Sequence, residues 1–400
     1  MKKGSVFGGS LLIAGSCIGV GMLGLPILTG IAGFFPTVLM SFLAFVFMTT
    51  TALFLIEVGS WFPQEANLST QIQKTLGPLW NSFSWMLYLF LFYSLLVAYI
   101  SLSGIHLSSF FNTFFSFEFP NWMGSFGFVV LFGWIVYLGT KAVDHLNRYL
   151  MAGKVMAFAV LMGFGLPYVK TNYLLREDIK YVLFSLPILV ISFGFHNMIP
   201  ALNHYLHGDK KKVKKAIIYG ASLTFFIYLL WQVLAIGILP LRGELGILNA
   251  FYLGKDAAQA IKEYLDQPIV GIGGQVLALF AILTSFLAQT LSLTHFLADG
   301  MKKGKSMKMG TLCLIALLPP LCFAMSYPHI FYQALNFAGG ICAVLLFGVI
   351  PAMMLYRGKK QEKVLFLKDR LAIYAVLSFS LFILLNQIFD LLGLKIFPHP

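Results

Sequence analysis

The stretch Gly15–Pro26 reads GSCIGVGMLGLP and lies inside an apolar run that extends from Val6 to about Phe35. Four glycines and one proline fall within these twelve residues. Glycine costs a helix roughly 1 kcal/mol relative to alanine, and proline removes a hydrogen bond and clashes with the preceding turn. In hydrocarbon, irregular backbone persists only where it lines a cavity or a ligand, because freed polar groups find no other partner. The stretch therefore predicts two half-helices joined by an unwound link at about Ile18–Met22.

Such a link exposes backbone N–H groups of one half-helix and C=O groups of the other, which suit a carboxylate and an ammonium or cation respectively. The alternative is that the glycines serve only close helix packing, since Gly and Pro are common in membrane helices. A second interrupted segment favours the broken helix. Ser192–Pro200 reads SFGFHNMIP, lies in another apolar run and again ends in proline. Paired interrupted segments in the two halves of a chain point to the binding site of a secondary transporter.

The composition is that of a polytopic membrane protein. Of the 400 residues, 59% are hydrophobic and 11% are charged, whereas the apolar share of a soluble domain is nearer half. The net charge of +13 lies mostly in short loops, so it reflects membrane topology, and no nucleic-acid partner is expected. The four cysteines lie in apolar runs without CxxC spacing, which predicts no disulfide, metal site or cofactor. We expect the first apolar run to be a retained span, not a signal peptide.

Eleven apolar runs have the length of a membrane span, ~20 residues. They lie at about 5–33, 35–60, 79–110, 122–140, 149–169, 181–206, 216–240, 269–298, 308–327, 330–356 and 371–394. These runs predict an all-α polytopic protein with eleven transmembrane helices in a single membrane domain. The loop at 61–78 is expected to carry a brief surface helix, and AAQAIKEYLDQ in the loop at 241–268 a short amphipathic helix.

The spans divide into two repeats of five, at about 5–170 and about 181–356, and an extra helix at about 371–394. Broken helix 1 then corresponds to broken helix 6. An odd number of spans per repeat turns the second repeat over relative to the first, which is the inverted-repeat architecture of transporters.

Orientation follows from the positive-inside rule. Twenty-one of the 28 Lys and Arg residues fall on one side of the predicted topology and seven on the other. The larger set includes Lys2 and Lys3, the block Lys210–Lys215, and Lys302, Lys303, Lys305 and Lys308. The smaller set is Lys170, Arg176, Lys180, Arg242, Lys255, Lys262 and Lys395. The N-terminus is therefore expected in the cytoplasm and the C-terminus on the outer, periplasmic side.

Ionisable groups inside spans are functional hypotheses by default. His196, in the second break, can bind substrate, relay a proton, or hold the break in shape. Lys154 can reach inward between spans 1, 5 and 8, with Thr284 and Ser285 as hydroxyl partners, or extend to the inner headgroups. Glu57 can take part in gating and proton traffic or pair with a loop lysine at the cytoplasmic end.

The backbone of both breaks and nearby aromatic side chains form the predicted substrate site. Its residues are Ser16, Cys17, Ile18, Gly19, Val20, Gly21, Tyr93, Tyr99, Ser192, Phe193, Gly194, Phe195 and His196. Lys154, Thr284, Ser285 and Glu57 form the predicted proton-coupling set.

Several motifs together resemble the hydroxy and aromatic amino acid permease family. GSCIGVGMLGLP resembles the family's first span, and SFGFHNMIPAL is similar to its sixth-span pattern. YSLLVAYISLSG, NRYLMAGK, TSFL and FAGGICAVLLFGVIPAMM extend the resemblance over nearly the whole chain. Asn197 and Met198 depart from the family's smaller residues. The resemblance implies a proton symporter of the amino acid–polyamine–organocation superfamily, in the bacterial inner membrane, with a five-plus-five inverted repeat.

The leading hypothesis is import of an aromatic amino acid with a proton, tyrosine first and tryptophan second, without an obligate protein partner. The alternatives are sodium-coupled or exchange transport, a channel and, remotely, an intramembrane enzyme. An ammonium at Lys154 repels sodium. The spans hold isolated ionisable groups and neither an HExxH nor a GxSxG-like pattern, which disfavours an enzyme. Paired breaks favour alternating access over the symmetric filter of a channel.

Overall fold

The computed structural model describes residues 4–63, 68–114, 118–300 and 308–393. The helices, labelled in chain order, are α1 (Val6–Cys17), α2 (Val20–Gly30), α3 (Phe34–Gly59), α4 (Leu68–Leu76), α5 (Pro78–Phe114), α6 (Asn121–Tyr137), α7 (Thr140–Gly165), α8 (Thr171–Leu174), α9 (Leu186–Ser192), α10 (Ile199–Tyr205), α11 (Lys210–Ile238), α12 (Ile247–Tyr252), α13 (Ala257–Tyr264), α14 (Pro268–Gly300), α15 (Met309–Ser326), α16 (Phe331–Phe337), α17 (Ile350–Gln361) and α18 (Leu367–Leu391). Short 3-10 segments occupy Leu166–Tyr168, Ile179–Ser185 and His196–Met198. A π-helical stretch, Ala338–Val349, joins α16 to α17.

Within those ranges, nine helices are long and apolar enough to cross a membrane, and α1 with α2 makes a tenth if the bent pair is one span. The apolar helix α6 is shorter, with 17 residues. These segments coincide with the eleven predicted runs, but the count of eleven stays a prediction because α6 is short. The two predicted loop helices are confirmed as α4 and α13. Lys2, Lys3, Lys302, Lys303, Lys305, Lys395 and residue 394 of the predicted extra helix lie outside the described residues.

The first predicted break is confirmed, but it is narrower than the predicted link. The axes of α1 and α2 meet at 60°, and only Ile18 and Gly19 separate the two helices. The prediction that Val20, Gly21 and Met22 are unwound is wrong, because α2 already begins at Val20. Gly19 supplies the turn with extended backbone (φ −137°, ψ −153°), so the chain changes direction within two residues.

The second predicted break is also confirmed. Helix α9 ends at Ser192, the next three residues are not helical, and α10 begins at Ile199 after one 3-10 turn. Pro200 lies in the first turn of α10. Proline fits there because its missing N–H has no intrahelical acceptor at a helix start.

The segment after α8 covers the C-terminal end of α2. Arg176 donates hydrogen bonds to the carbonyl oxygens of Gly30 and Ile31, the latter at 3.0 Å. Asp178 N–H donates to the carbonyl oxygen of Ala32 at 2.8 Å. Gly33 turns the chain into α3 with φ +97°, a conformation that favours glycine. The last carbonyls of α2 are thus satisfied by a cation, as the helix dipole favours.

The core lies between the two broken helices and the long helices around them. Helix α1 packs on α11, α7 packs on α14, and α9 packs on the π-helical stretch. At this last contact a Cβ on Gly339 would overlap the carbonyl oxygen of Pro187. The backbones of the two segments therefore touch where no side chain fits.

We expect Gly339→Ala to lower the thermal unfolding temperature of the detergent-purified protein. Overpacking a tight contact costs about 1–3 kcal/mol, and here the obstacle is backbone, which cannot rotate away. Gly163→Ala is the matched control, because a Cβ there meets nothing within 4 Å. Equal unfolding temperatures for the two variants would contradict this close approach.

Candidate functional site

A cavity of about 710 Å³ lies between the two breaks. The first break contributes Gly15, Ser16, Cys17, Gly19, Val20 and Gly21 to its wall, and the second contributes Ile191, Ser192, Gly194, Asn197 and Met198. Helices α5, α7 and α14 and the π-helical span complete the wall. This volume lies within the range of small-molecule sites, which is about 300–1,000 Å³.

The predicted site residues divide into two groups by their position. Ser16, Cys17, Gly19, Val20, Gly21, Tyr99, Ser192, Gly194, Thr284 and Ser285 line the cavity. The wall does not include Ile18, Tyr93, Phe193, Phe195, His196, Lys154 or Glu57. The role of every residue in both groups stays a prediction.

Lys154 reaches the first break from α7, between α1 and α14, which is the position predicted for it. Its side chain is buried, with 2% exposure, and its ammonium donates to the carbonyl oxygen of Ile18. The ammonium also approaches Thr284 Oγ1 at 3.4 Å, and that hydroxyl donates to Ala281 O at 3.1 Å. The carbonyl that the break frees is thus satisfied by the ammonium. The oxygens that contact this buried ammonium, Ile18 O and Thr284 Oγ1, are both neutral.

Tyr228 of α11 joins the two breaks. Its hydroxyl lies 2.7 Å from the carbonyl oxygens of both Cys17 and Ser192, and the residue is fully buried. One turn further along α11, Trp231 Nε1 donates to Met22 O at 2.8 Å. Sequence reasoning missed both residues. The available signal was two aromatic residues with polar tips, three positions apart, on one face of an apolar helix.

Gly21 allows α2 to approach the second break. A Cβ at this position would lie 2.7 Å from Ser192 Oγ and 3.3 Å from Ser192 Cα. Ser192 Oγ itself forms no hydrogen bond with the described residues, and neither do Asn147 Oδ1 and Gln289 Nε2 elsewhere in the wall. Buried polar atoms usually have partners, so these atoms are available to a ligand or to water.

His196 lies behind the cavity wall. Its Nε2 is 2.9 Å from Thr51 Oγ1 on α3, and its ring stacks on Phe347 at 4.6 Å between centroids. Phe347 lines the cavity, so His196 supports a wall residue from behind. This position corresponds to the interpretation in which the histidine holds the break in shape.

The other predicted residues outside the wall have partners elsewhere. Tyr93 donates to Ile315 O at 2.8 Å, on α15. Phe193 packs on Tyr228, with ring centroids 5.1 Å apart. Phe195 is buried and lies beside the His196 ring at 5.4 Å.

Glu57 forms ion pairs at the end of α3. Lys210 and Lys214 lie 3.5 Å from its carboxylate and Lys359 lies 3.8 Å away. This is the arrangement that the loop-lysine interpretation predicted.

The cavity reaches toward the end of the bundle where Glu57 and its lysine partners lie, which we call the basic end. Leu11 and Leu12 of α1, Asp144 and Arg148 of α7, and Ser292 of α14 line that part of it. Arg148 and Asp144 form an exposed ion pair at 2.7 Å. At the opposite end, α2 is covered by Arg176 and by α13, which packs on α2 and α14. The site is therefore approached from the basic end.

Comparisons with known proteins agree with this architecture. The model of the tryptophan/tyrosine permease family matches residues 2–387. The chain is 32% identical over 369 residues to the tyrosine-specific transport system 2 of Haemophilus influenzae, with 91% of each chain covered. It is 31% identical over 369 residues to the tryptophan-specific transport protein of the same organism, covering 88% of this chain and 87% of that one.

The structure also resembles the crystal structure of MhsT in complex with L-phenylalanine. The TM-score is 0.65 at 14% identity, with 97% of this chain and 99% of that chain covered. Two broken helices around one cavity, in an all-helical fold of this type, define a multi-pass membrane transporter with the five-plus-five inverted repeat of the LeuT fold. The chain belongs to the tryptophan/tyrosine permease family and is a permease, not an enzyme. The family resemblance of its sequence motifs is thereby confirmed.

We expect Tyr228→Phe to weaken substrate binding and lower stability, because it removes the single O–H that the carbonyls of both breaks share. A buried group that loses its partner costs about 1–3 kcal/mol. Thermal unfolding and binding of labelled tyrosine or tryptophan, measured on the purified protein, check this. Tyr219→Phe is the control, since Tyr219 lies on the same helix and is 58% exposed. If both variants bind and unfold like the wild type, Tyr228 does not join the breaks.

Proposed function

We propose that this chain imports an aromatic amino acid by proton symport with alternating access, with tyrosine as the first candidate and tryptophan as the second. The observation that carries the proposal is the cavity between the two breaks, with the Lys154 ammonium bound to the first break. The names of the relatives, which are tyrosine-specific and tryptophan-specific, support the substrate class. We place the protein in the bacterial inner membrane with its N-terminus in the cytoplasm, so the basic end faces the cytoplasm.

The α-groups of the substrate bind the backbone of both breaks in this proposal. Val20 and Gly21 lie in the first turn of α2, where N–H groups lack intrahelical acceptors and the helix dipole favours an anion. A carboxylate fits there. The carbonyl oxygen of Ser192 has two lone pairs, so it can accept from the substrate ammonium as well as from Tyr228, whereas Cys17 O already accepts from Gly19 N–H at 2.8 Å and from Tyr228.

The aromatic side chain of the substrate fits the apolar part of the wall. Leu91, Leu95 and Tyr99 of α5, Met198 and Phe347 provide that surface. Asn197 lies in the same wall, and its amide forms no hydrogen bond with the described residues. We propose that this amide binds the polar atom of the substrate side chain, the phenol hydroxyl of tyrosine or the indole N–H of tryptophan.

Lys154 is the proposed coupling group. Its ammonium bridges the first break and α14, where a sodium-coupled relative would hold a cation. An ammonium there excludes sodium by charge repulsion. Loss of the proton would remove the charge that strengthens the contacts with Ile18 O and Thr284, so protonation and the shape of the break change together. Ser285 lies beside the same break, because a Cβ on Gly19 would be 2.5 Å from its Oγ.

Two repeats, at about 5–170 and about 181–356, are the proposed moving units, with the helix at about 371–394 outside them. The Lys154 contact joins α7 of the first repeat to α14 of the second. The coupling group therefore acts at the boundary between the two repeats.

We expect Lys154→Met to abolish accumulation of labelled tyrosine or tryptophan in proteoliposomes with an imposed proton gradient, while exchange of internal for external substrate continues. The substitution keeps side-chain bulk and removes the titratable charge, so it separates coupling from packing. Lys141→Met is the control, because Lys141 lies on the same helix and is exposed. Accumulation by the Lys154 variant at the wild-type rate would reject Lys154 as the coupling group.

We expect Asn197→Leu to reduce the preference for tyrosine over phenylalanine. One lost hydrogen bond corresponds to about 1 kcal/mol, or roughly fivefold in relative affinity. Competition by the two unlabelled amino acids against labelled tyrosine measures this. Met198→Leu, an apolar exchange in the same wall, should change both affinities by the same factor. An unchanged tyrosine-to-phenylalanine ratio in the Asn197 variant would exclude this role.

A further inference from the structure

A buried acid–base pair lies at the end of the bundle opposite the cavity opening. His106 Nε2 contacts Asp256 Oδ2, and both side chains are fully buried. His106 belongs to α5, seven residues beyond the cavity residue Tyr99, which is about 10 Å further along the helix. The pair is therefore separate from the proposed substrate and coupling groups.

Asp256 links this pair to α13. It is the N-cap of that helix, and its Oδ1 accepts from Ala258 N–H at 2.7 Å and from Gln259 N–H at 3.1 Å. Its other oxygen contacts His106. One carboxylate thus caps the N-terminus of α13 and also contacts α5.

The neighbouring charged and titratable groups already have partners. Lys255 and Glu263 pair at 2.8 Å. Lys262 donates to Ser109 Oγ of α5 at 3.0 Å, and the Tyr332 hydroxyl of α16 donates to Lys255 O at 2.7 Å. On α14 the polar neighbour is Gln275, 3.3 Å from Ser109 Oγ. Of these groups, the one that pairs with His106 is the Asp256 carboxylate, so removing either side chain acts mainly on this contact.

Helix α13 covers the closed end of the site. It packs on α2, the half-helix that follows the first break, and on α14. A transporter that works by alternating access must open this end to admit substrate from the other side. If α13 separates from α5 when that end opens, the contact between His106 and Asp256 breaks.

We propose that His106 and Asp256 form an outer latch that positions α13 over the site. The imidazole and the carboxylate are each other's buried polar partners, and separating them leaves the carboxylate oxygen without its partner, which favours the closed arrangement. This inference rests on the proposed transport function and orientation.

Cys17 provides a native reporter of opening because it lines the cavity. In intact cells, a membrane-impermeant thiol reagent added outside reaches it only when the outer end opens. The assay uses the full chain with Cys313, Cys322 and Cys342 changed to serine, and adding Cys17→Ser confirms the labelled position. The rate of labelling is measured at one fixed external pH for all variants.

We expect Asp256→Asn to raise the labelling rate by at least about tenfold, because it removes the buried carboxylate oxygen that contacts His106, and a buried polar group left without its partner is strongly unfavourable. Asparagine is as good an N-cap as aspartate, so the start of α13 is retained. His106→Gln should likewise raise the rate. His329→Gln is the control, because exposed His329 contacts the backbone oxygen of Leu253 at 2.8 Å and has no carboxylate partner in the described chain.

Wild-type labelling rates in both latch variants would overturn the proposal. A rise in the His329 variant equal to that in the latch variants would also overturn it, since any weakening of the outer loop would then suffice. If Asp256→Asn does not reach the membrane, His106→Gln decides alone. Labelling requires no transport, so absence of aromatic amino acid uptake by the wild type would reject the proposed function while this assay still tests the latch.

Discussion

The structure depends on one constraint, which is that the backbone polar groups freed by two helix breaks must find partners inside a membrane. Each unsatisfied group in hydrocarbon costs several kcal/mol. The protein meets this constraint with two buried side chains. The Lys154 ammonium binds Ile18 O, and the single O–H of Tyr228 is shared by Cys17 O and Ser192 O. The Trp231 indole binds Met22 O inside α2, where Pro26 supplies no N–H four residues further on. The breaks are stable because surrounding helices carry their donors.

This constraint explains which parts of the molecule sequence reasoning could predict. Both breaks could be predicted from the sequence, since glycine and proline act through local backbone energetics that do not depend on the neighbouring helices. The approach of Lys154 to the first break was also readable, because few buried ammonium groups exist and few places in a span can satisfy one. The predicted link was too long, because Val20 and Gly21 resume the helix as soon as Gly19 has made the turn.

The direction in which uncharged and aromatic side chains point could not be predicted from the sequence in this way. Tyr93 was expected in the pocket and instead donates to Ile315 O, while Tyr228 was not expected there and joins both breaks. Both are tyrosines on apolar helices. Only the rotation of each helix about its axis separates them, and that rotation is set by packing against helices distant in sequence. His196 shows the same effect. It lies behind the cavity wall, whereas the next residue, Asn197, lies in the wall.

The distribution of charge separates the middle of the protein from its ends. Around the cavity, the breaks offer neutral carbonyls and amides, and Lys154 is the ammonium that binds one of those carbonyls. Glu57 and its lysines form ion pairs at one end, and the His106–Asp256 contact lies at the other. Neutral dipoles can bind a zwitterionic amino acid without a net electrostatic barrier to its release. The residues proposed to bind substrate and those proposed to hold the outer end closed therefore use different chemistry at different depths of the bundle, so they can be changed separately.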